Sequence, residues 1–150
     1  MERVVAPDNL RRAWKQVKAT HGARGIDGLT VEQAEAWLRR HWTTIRAALL
    51  SGTYQPLPVR RQAIPKRSGG DRLRGNAAVV DRLIQQALTP IFDPGFPERS
   101  FGSRPGRSAH GALRQVQTEA RAGYRIAVDL DLEKFFDRVP HDILLARVAR

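Results

Sequence analysis

Two carboxylates placed two residues apart in an apolar segment are the side chains best suited to chemistry in this sequence. Asp129 and Asp131 interrupt the run 126–132, whose other residues are aliphatic. Because side chains alternate between the faces of a strand, the run predicts a β-strand with both carboxylates on one face. Buried acids need a positive partner, and Mg²⁺ prefers carboxylate oxygens. The pattern indicates a divalent-metal site, while two solvated acids on an edge strand would give the same spacing.

The charge of the chain indicates a polyanionic partner. Its 150 residues include 26 Lys and Arg against 15 Asp and Glu, a formal net charge of +11. Most of the excess is arginine, whose planar guanidinium matches phosphate geometry. Nucleic acid is the partner that such a chain most often binds, whereas an anionic membrane surface and simple solubility are weaker interpretations.

Composition also excludes several classes of protein. The sequence contains no cysteine, which rules out disulfides and thiolate metal sites. No apolar run approaches the roughly 20 residues that span a bilayer, and the N-terminus lacks the apolar centre of a signal peptide. We therefore expect a cytoplasmic protein without a membrane partner.

Hydrophobic periodicity predicts a chain rich in helices. Asp8 or Asn9 is expected to cap the first helix, and Thr30 with Gln33 forms a capping-box pattern at the start of the second. The third is predicted to reach about residue 88, with its boundary left open by Pro90, and its polar face includes Asp81. The predicted helices cover residues 8–20, 30–50, 78–88, 108–123 and 140–150.

Residues 59–76 predict a basic β-hairpin, with strands at 59–64 and 72–76. Gly69 and Gly70 in the turn allow the backbone to approach a ligand closely. Between positions 60 and 74 there is a single acid, and the basic residues are Arg60, Arg61, Lys66, Arg67, Arg72 and Arg74. The hairpin suits a triphosphate or an RNA backbone, and a solvated charged hairpin is the alternative.

A loop at 93–107, rich in proline and glycine, contains Arg99, Arg104 and Arg107. Long ordered loops inside a domain are often functional, so we expect this loop to be more than a linker. Ser108 is predicted to cap the helix that follows.

Several segments occur in the order found in the reverse transcriptases encoded by group II introns. Gly25-Ile26-Asp27-Gly28 resembles the N-terminal signature of that family, and the basic hairpin resembles its fingers hairpin. The run Asp131-Leu132-Glu133-Lys134-Phe135-Phe136 is similar to the first palm motif, in which an aromatic residue follows the acid. Further resemblance lies in residues 79–88 and 100–110.

The resemblance implies an α+β fold, the fingers and the beginning of the palm of a right-hand polymerase. It implies an N-terminal helical extension at 1–52, a fingers region at 53–123 and the start of the palm at 124–150. The implied activity is RNA-directed DNA synthesis with two Mg²⁺ ions, acting on an RNA template, a DNA or RNA primer and a deoxynucleoside triphosphate.

Residue roles follow from the same resemblance. Asp131 would be a catalytic metal ligand with the Leu132 carbonyl beside it, and Phe136 would be the steric gate against a ribose 2′-OH. The residues implied to hold the triphosphate are Arg60, Lys66 and Arg72. Those implied to contact RNA are Arg61, Arg67, Arg104 and Arg107.

The sequence departs from the family in two ways. Arg74-Gly75-Asn76-Ala77 replaces a usual apolar–Gly–Ile–Pro run, and Ser103 replaces a ring, changes expected to weaken the packing that positions Arg72. The family's aromatic-x-Asp-Asp motif does not occur in these residues. We therefore expect a truncated polymerase, inactive alone, whose missing palm and thumb would be a partner. The alternative is a non-catalytic RNA-binding module, either a remnant or half of a split protein.

Overall fold

The computed structural model describes residues 1–65, 67, 69–132 and 135–148. The chain folds into helices with one antiparallel hairpin, and it divides into two compact units, Met1–Ser100 and Phe101–Arg150. The elements, in chain order, are α1 (Pro7–Ala19), α2 (Val31–Ser51), β1 (Arg60–Pro65), β2 (Asp71–Asn76), α3 (Val79–Phe92), a 3-10 turn (Asp93–Gly95), α4 (Ala109–Arg121), α5 (Phe135–Arg138) and α6 (His141–Val148). In the described part, no helix has the length and apolar character that a membrane span requires.

The first unit contains the core. Apolar residues three and four positions apart on α1, α2 and α3 face one another, which is the pattern of helices that share one buried interior. Each aliphatic side chain buried there contributes about 1.5–3 kcal/mol relative to leaving it exposed. The buried residues on these helices include Ala13, Val17, Ala34, Leu38, Ile45, Leu49, Val79, Val80, Leu83, Ile84 and Ala87.

The predicted caps of α2 are confirmed. The Thr30 hydroxyl accepts from the Gln33 backbone N–H at 3.1 Å, and the Gln33 side chain accepts from the Thr30 N–H at 3.0 Å. Gly52 ends the helix with φ of 73°, a left-handed conformation that glycine adopts without strain.

The predicted cap of α1 is wrong. Ala6 occupies the N-cap position, and no side chain caps the helix. Asn9 is instead buried, and its Nδ2 donates to the carbonyls of Val4 at 3.0 Å and Ala87 at 2.8 Å. A buried amide needs such partners, so Asn9 ties the start of α1 to the end of α3.

The boundary that the sequence left open at Pro90 lies further on, because Pro90 is inside α3 and the helix continues to Phe92. Proline removes one intrahelical hydrogen bond. The residue that follows it, Ile91, packs against the core and favours continuation of the helix.

The hairpin forms as predicted, within one residue at each strand end. β1 pairs with β2 so that Arg60 lies opposite Asn76 and Pro65 lies opposite Asp71. Both glycines of the turn have positive φ, 87° at Gly69 and 78° at Gly70. Residues without a glycine's freedom adopt such angles only with strain.

The described part of the second unit differs from the sequence prediction at two elements: the predicted strand is not formed, and the short helix α5 was not among the predicted helices. Ser108 precedes α4 as its N-cap, and its hydroxyl accepts from the Gly111 N–H at 3.1 Å, so the predicted cap is confirmed. The strand predicted at 126–132 is not formed: residues 124–132 have no regular secondary structure and their side chains are exposed. A strand needs a neighbour to satisfy its backbone groups, and the sheet of the described chain contains only β1 and β2.

Candidate functional site

The hairpin separates its side chains into two faces of different charge. Opposed residues of an antiparallel pair project to the same side, and each strand alternates with period two. The register therefore groups Arg60, Gln62, Ile64, Arg72, Arg74 and Asn76 on one face, here called the arginine face. The opposite face carries Arg61, Ala63, Pro65, Asp71, Leu73 and Gly75.

The arginine face gathers two of the predicted phosphate-binding residues and adds a third cation. Arg60 and Arg72 lie on it, with Arg74 between them, and all three are exposed. The acid of the hairpin, Asp71, lies on the opposite face. The Asn76 amide donates to Gln62 at 3.1 Å across the strands. Because that bond joins two neutral side chains, it leaves the positive charge of the face unneutralised.

Two other predicted residues of the hairpin, Arg61 and Arg67, are placed differently. Arg61 projects from the opposite side, and Arg67 is exposed in the turn. Lys66 lies outside the described residues. A ligand on the arginine face therefore meets Arg60, Arg72 and Arg74, while Arg61 is available to a different surface.

A buried carboxylate anchors the segment that leads into the hairpin. Asp81 on α3 is only 6% exposed, and it accepts from the Tyr54 hydroxyl at 2.7 Å and from the Leu57 N–H at 3.1 Å. Burial and the hydrogen bond to Asp81 raise the pKa of the Tyr54 hydroxyl above its ordinary value. The residues from 54 to 57 are thereby fixed three positions before Arg60.

Sequence reasoning placed Asp81 on the polar face of its helix and missed this role. The signal available was an acid that directly follows the apolar pair Val79 and Val80 at the start of α3. Arg82, the residue after Asp81, contacts a second loop, since its guanidinium donates to the Ala23 carbonyl at 3.0 Å. A Cβ at Gly25 would lie 2.7 Å from the Ala78 nitrogen, so this loop needs glycine to approach α3.

Residues 101–107, here called the arginine loop, belong to the second unit and line a small basic cleft. Arg107 lies over the ring of Phe101, 5.5 Å from its centre, in a cation–π contact. A cleft of about 370 Å³ is lined by both residues and by Arg114 on α4. Arg104, the other residue predicted here to contact RNA, is half-buried and has interactions of its own.

The predicted metal segment is exposed and irregular. Asp129 and Asp131 lie in it, and its aliphatic residues are largely in solvent, with Leu130 87% and Leu132 68% exposed. Its donors, carboxylates and a main-chain carbonyl, are hard oxygens that suit Mg²⁺. Among the residues described, no three His, Cys, Asp or Glu side chains converge as a metal-binding group. Phe136 belongs to α5, but the position of its side chain is outside the described part.

Comparison with known proteins identifies the class. The chain belongs to the reverse transcriptase (RNA-dependent DNA polymerase) family, whose model matches residues 64–150. The match covers the hairpin from Ile64 onward, the arginine loop and the segment that contains Asp131.

Its relatives narrow the family to the group II intron-encoded branch, as the sequence predicted. The chain is 32% identical, over 97% of its length, to the group II intron-encoded protein LtrA of Lactococcus lactis subsp. cremoris. It is 36% identical, over 98% of its length, to protein YkfC of Escherichia coli K12. It is 33% identical, over 85% of its length, to a 91 kDa protein in the cob intron of Schizosaccharomyces pombe.

These relatives are much longer than the chain. It spans 41% of YkfC, 25% of LtrA and 15% of the cob intron protein. The similarity therefore concerns one part of each relative.

Proposed function

We propose that this chain supplies the fingers and the start of the palm of an RNA-directed DNA polymerase of the group II intron type. The observation that carries the proposal is the arginine face, where Arg60 and Arg72 share an exposed, acid-free side of the hairpin. In this proposal residues 1–52 are an N-terminal extension, 53–123 form the fingers and 124–150 begin the palm.

The proposed roles divide the basic residues between two ligands. Arg60 and Arg72, with Lys66, hold the phosphates of the incoming deoxynucleoside triphosphate, because guanidinium forks pair with phosphate oxygens. An RNA template, paired to a DNA or RNA primer, is contacted by Arg61, Arg67, Arg104 and Arg107.

The proposed catalytic residues lie in the second unit. Asp131 and the Leu132 carbonyl would hold Mg²⁺, which when bound stabilises the charge that develops on the reacting phosphate. Phe136 would limit the space beside the sugar and exclude a 2′-hydroxyl.

The segment containing Asp131 supports a further part of the proposal. An acid in an exposed, irregular stretch is not held where a reacting phosphate would need it. We therefore infer that the chain alone binds its ligands without polymerising, and that the remaining palm and thumb of a polymerase would order residues 124–132. Asp131-dependent primer extension by the purified chain would overturn this inference.

A second candidate function is a non-catalytic RNA-binding module. The same exposed segment favours it, since the arginine face is built on a packed unit while the acidic stretch is not. Both candidates require phosphate binding by the hairpin and differ in whether Asp131 ever contributes to synthesis.

The salt dependence of RNA binding tests the shared requirement. Arg60→Ala combined with Arg72→Ala should reduce the magnitude of the slope of log K against log salt by about 1 to 2 for single-stranded RNA. The reason is that binding releases fewer counterions when fewer phosphate contacts are made. The matched control is Arg40→Ala with Arg46→Ala, which removes the same charge from exposed positions on α2. If both pairs change the slope equally, net charge explains the binding and the hairpin site is rejected.

A further inference from the structure

Arg74 was given no role by the resemblance to the family. The register of the hairpin places it at the centre of the arginine face. It lies opposite Gln62, and its same-face neighbours on the two strands are Arg72 and Arg60. Residues two apart on a strand are separated by about 7 Å, and diagonal neighbours across an antiparallel pair by ~7–8 Å. Arg74 is therefore nearly equidistant from the two arginines.

Arg60 and Arg72 lie near opposite ends of the arginine face. Arg60 lies opposite Asn76, four residues from Arg72, so about 13–14 Å of strand separates their levels on the face. With Arg74 between them, the face becomes a row of three guanidinium groups at nearly even spacing.

The charges of this row are available to a ligand. Within the described chain, none of the guanidinium groups of Arg60, Arg72 and Arg74 is engaged in an ion pair or hydrogen bond. Three like charges on one small surface repel one another unless an anion or salt screens them. An exposed row of this kind gains most from a ligand that carries several negative charges in a line.

We propose that Arg74 is a third phosphate-binding residue, and that the arginine face binds a linear run of phosphates rather than one phosphate group. The ligand chemistry is shared by the triphosphate of a nucleotide and by the backbone of an RNA strand. Arg74 contacts the middle of the run, and Arg60 and Arg72 contact its two ends. The inference rests on the proposed phosphate binding by the hairpin and adds to it a residue where the sequence departs from the family.

The other residues of the face fit this arrangement. The Asn76–Gln62 hydrogen bond at 3.1 Å braces the two strands beside Arg74. Ile64, opposite Arg72, is 37% exposed and offers no competing charge. The departures at positions 74 and 76 therefore act together, since one adds a cation and the other holds the strands that carry it.

The test is to measure the affinity of the full chain for two probes, a deoxynucleoside triphosphate with Mg²⁺ and a short single-stranded RNA. Arg74→Ala should weaken at least one of them by roughly three- to tenfold and, for RNA, lower the salt slope by about 1. The probe that is weakened identifies the source of the phosphates. Arg46→Ala, which removes an exposed arginine from α2, should leave both affinities within about twofold.

Arg74→Lys separates charge from geometry. It keeps one positive charge but loses the two-point fork, so the RNA slope should return toward the original value while affinity recovers only in part. Circular dichroism of each variant checks that the chain remains folded, which is expected because position 74 is exposed.

The outcomes distinguish this inference from the proposed function. If Arg74→Ala matches Arg46→Ala with both probes while the Arg60 and Arg72 double variant weakens binding, Arg74 has no such role and the phosphate site stands. If the double variant also matches its control, or the original chain binds neither probe, both proposals are wrong.

Discussion

Helices α3 and α4 have the same kind of amphipathic sequence and lie in different environments. On α3 the apolar side is buried, with Val79 fully enclosed and Leu83 only 4% exposed. On α4 no residue is buried, and Leu113 and Val116 are 60% and 64% exposed. The first helix faces the apolar sides of α1 and α2, and the second presents its stripe to solvent. A hydrophobic pattern thus identifies a helix without showing that its apolar side is covered.

The same contrast separates the hairpin from the segment that contains Asp131. In the hairpin β1 pairs with β2, and Asp81 fixes the chain before β1 through its hydrogen bonds with Tyr54 and Leu57. The stretch 124–132 has the more regular strand pattern in the sequence, yet it forms no strand in the described chain. The basic residues proposed for phosphate therefore lie on a formed hairpin, whereas the predicted metal ligands lie in an irregular segment.

The largest expected difference between the two units is in core stability. Leu83→Ala should lower the free energy of unfolding by about 2–5 kcal/mol, because it removes a buried side chain and leaves a cavity. Leu113→Ala, the same change on α4, should alter it by less than about 0.5 kcal/mol. Urea unfolding followed by circular dichroism measures both changes. Equal losses would mean that the apolar side of α4 is covered in solution, and the contrast between the helices would not hold.

The features that sequence predicted well depend on residues close together in the chain. The capping box of Thr30 and Gln33, the end of α2 at Gly52 and the cap at Ser108 are local, so their residue types suffice. The hairpin is local as well, and its register follows from its short turn. The family was also predictable, since its motifs occur in order along nearly the whole chain.

The sequence predictions that failed concern residues whose structure depends on contacts far away in the chain. Asn9 resembles a cap in sequence but is buried against Ala87, 78 positions away. Asp81 resembles a solvated acid but meets Tyr54 and Leu57. The strand at 126–132 required a neighbour that no local pattern could supply.

A smaller effect is expected at the attachment of the hairpin to the packed unit. Tyr54→Phe should lower the free energy of unfolding by about 1–3 kcal/mol, because the buried Asp81 then loses one of its two hydrogen bonds. The raised pKa of Tyr54 gives this contribution a pH dependence. It is fully present below the ordinary tyrosine pKa near 10 and is lost as pH rises above it, where the unfolded tyrosine ionises and the folded one does not.

The free energy of unfolding, measured from pH 7 to 11, tests whether this contribution is lost as the pH rises. The original chain should lose stability above pH 10 more steeply than Tyr54→Phe, and the two should differ by a constant amount below pH 9. Parallel curves across the whole range would show that the hydroxyl does not hold the proton as described, and that the segment before the hairpin is fixed in another way.

The contrast between a phosphate surface on a formed hairpin and an acidic segment without regular secondary structure is tested most directly by primer extension on an RNA template. The assay compares the purified chain with its Asp131→Asn variant, under conditions in which RNA binding by both is measured in parallel. We expect both to bind RNA equally and neither to extend the primer beyond the protein-free control. Extension by the original chain that Asp131→Asn abolishes would contradict this expectation, because Asp131 would then be positioned for catalysis in this chain alone.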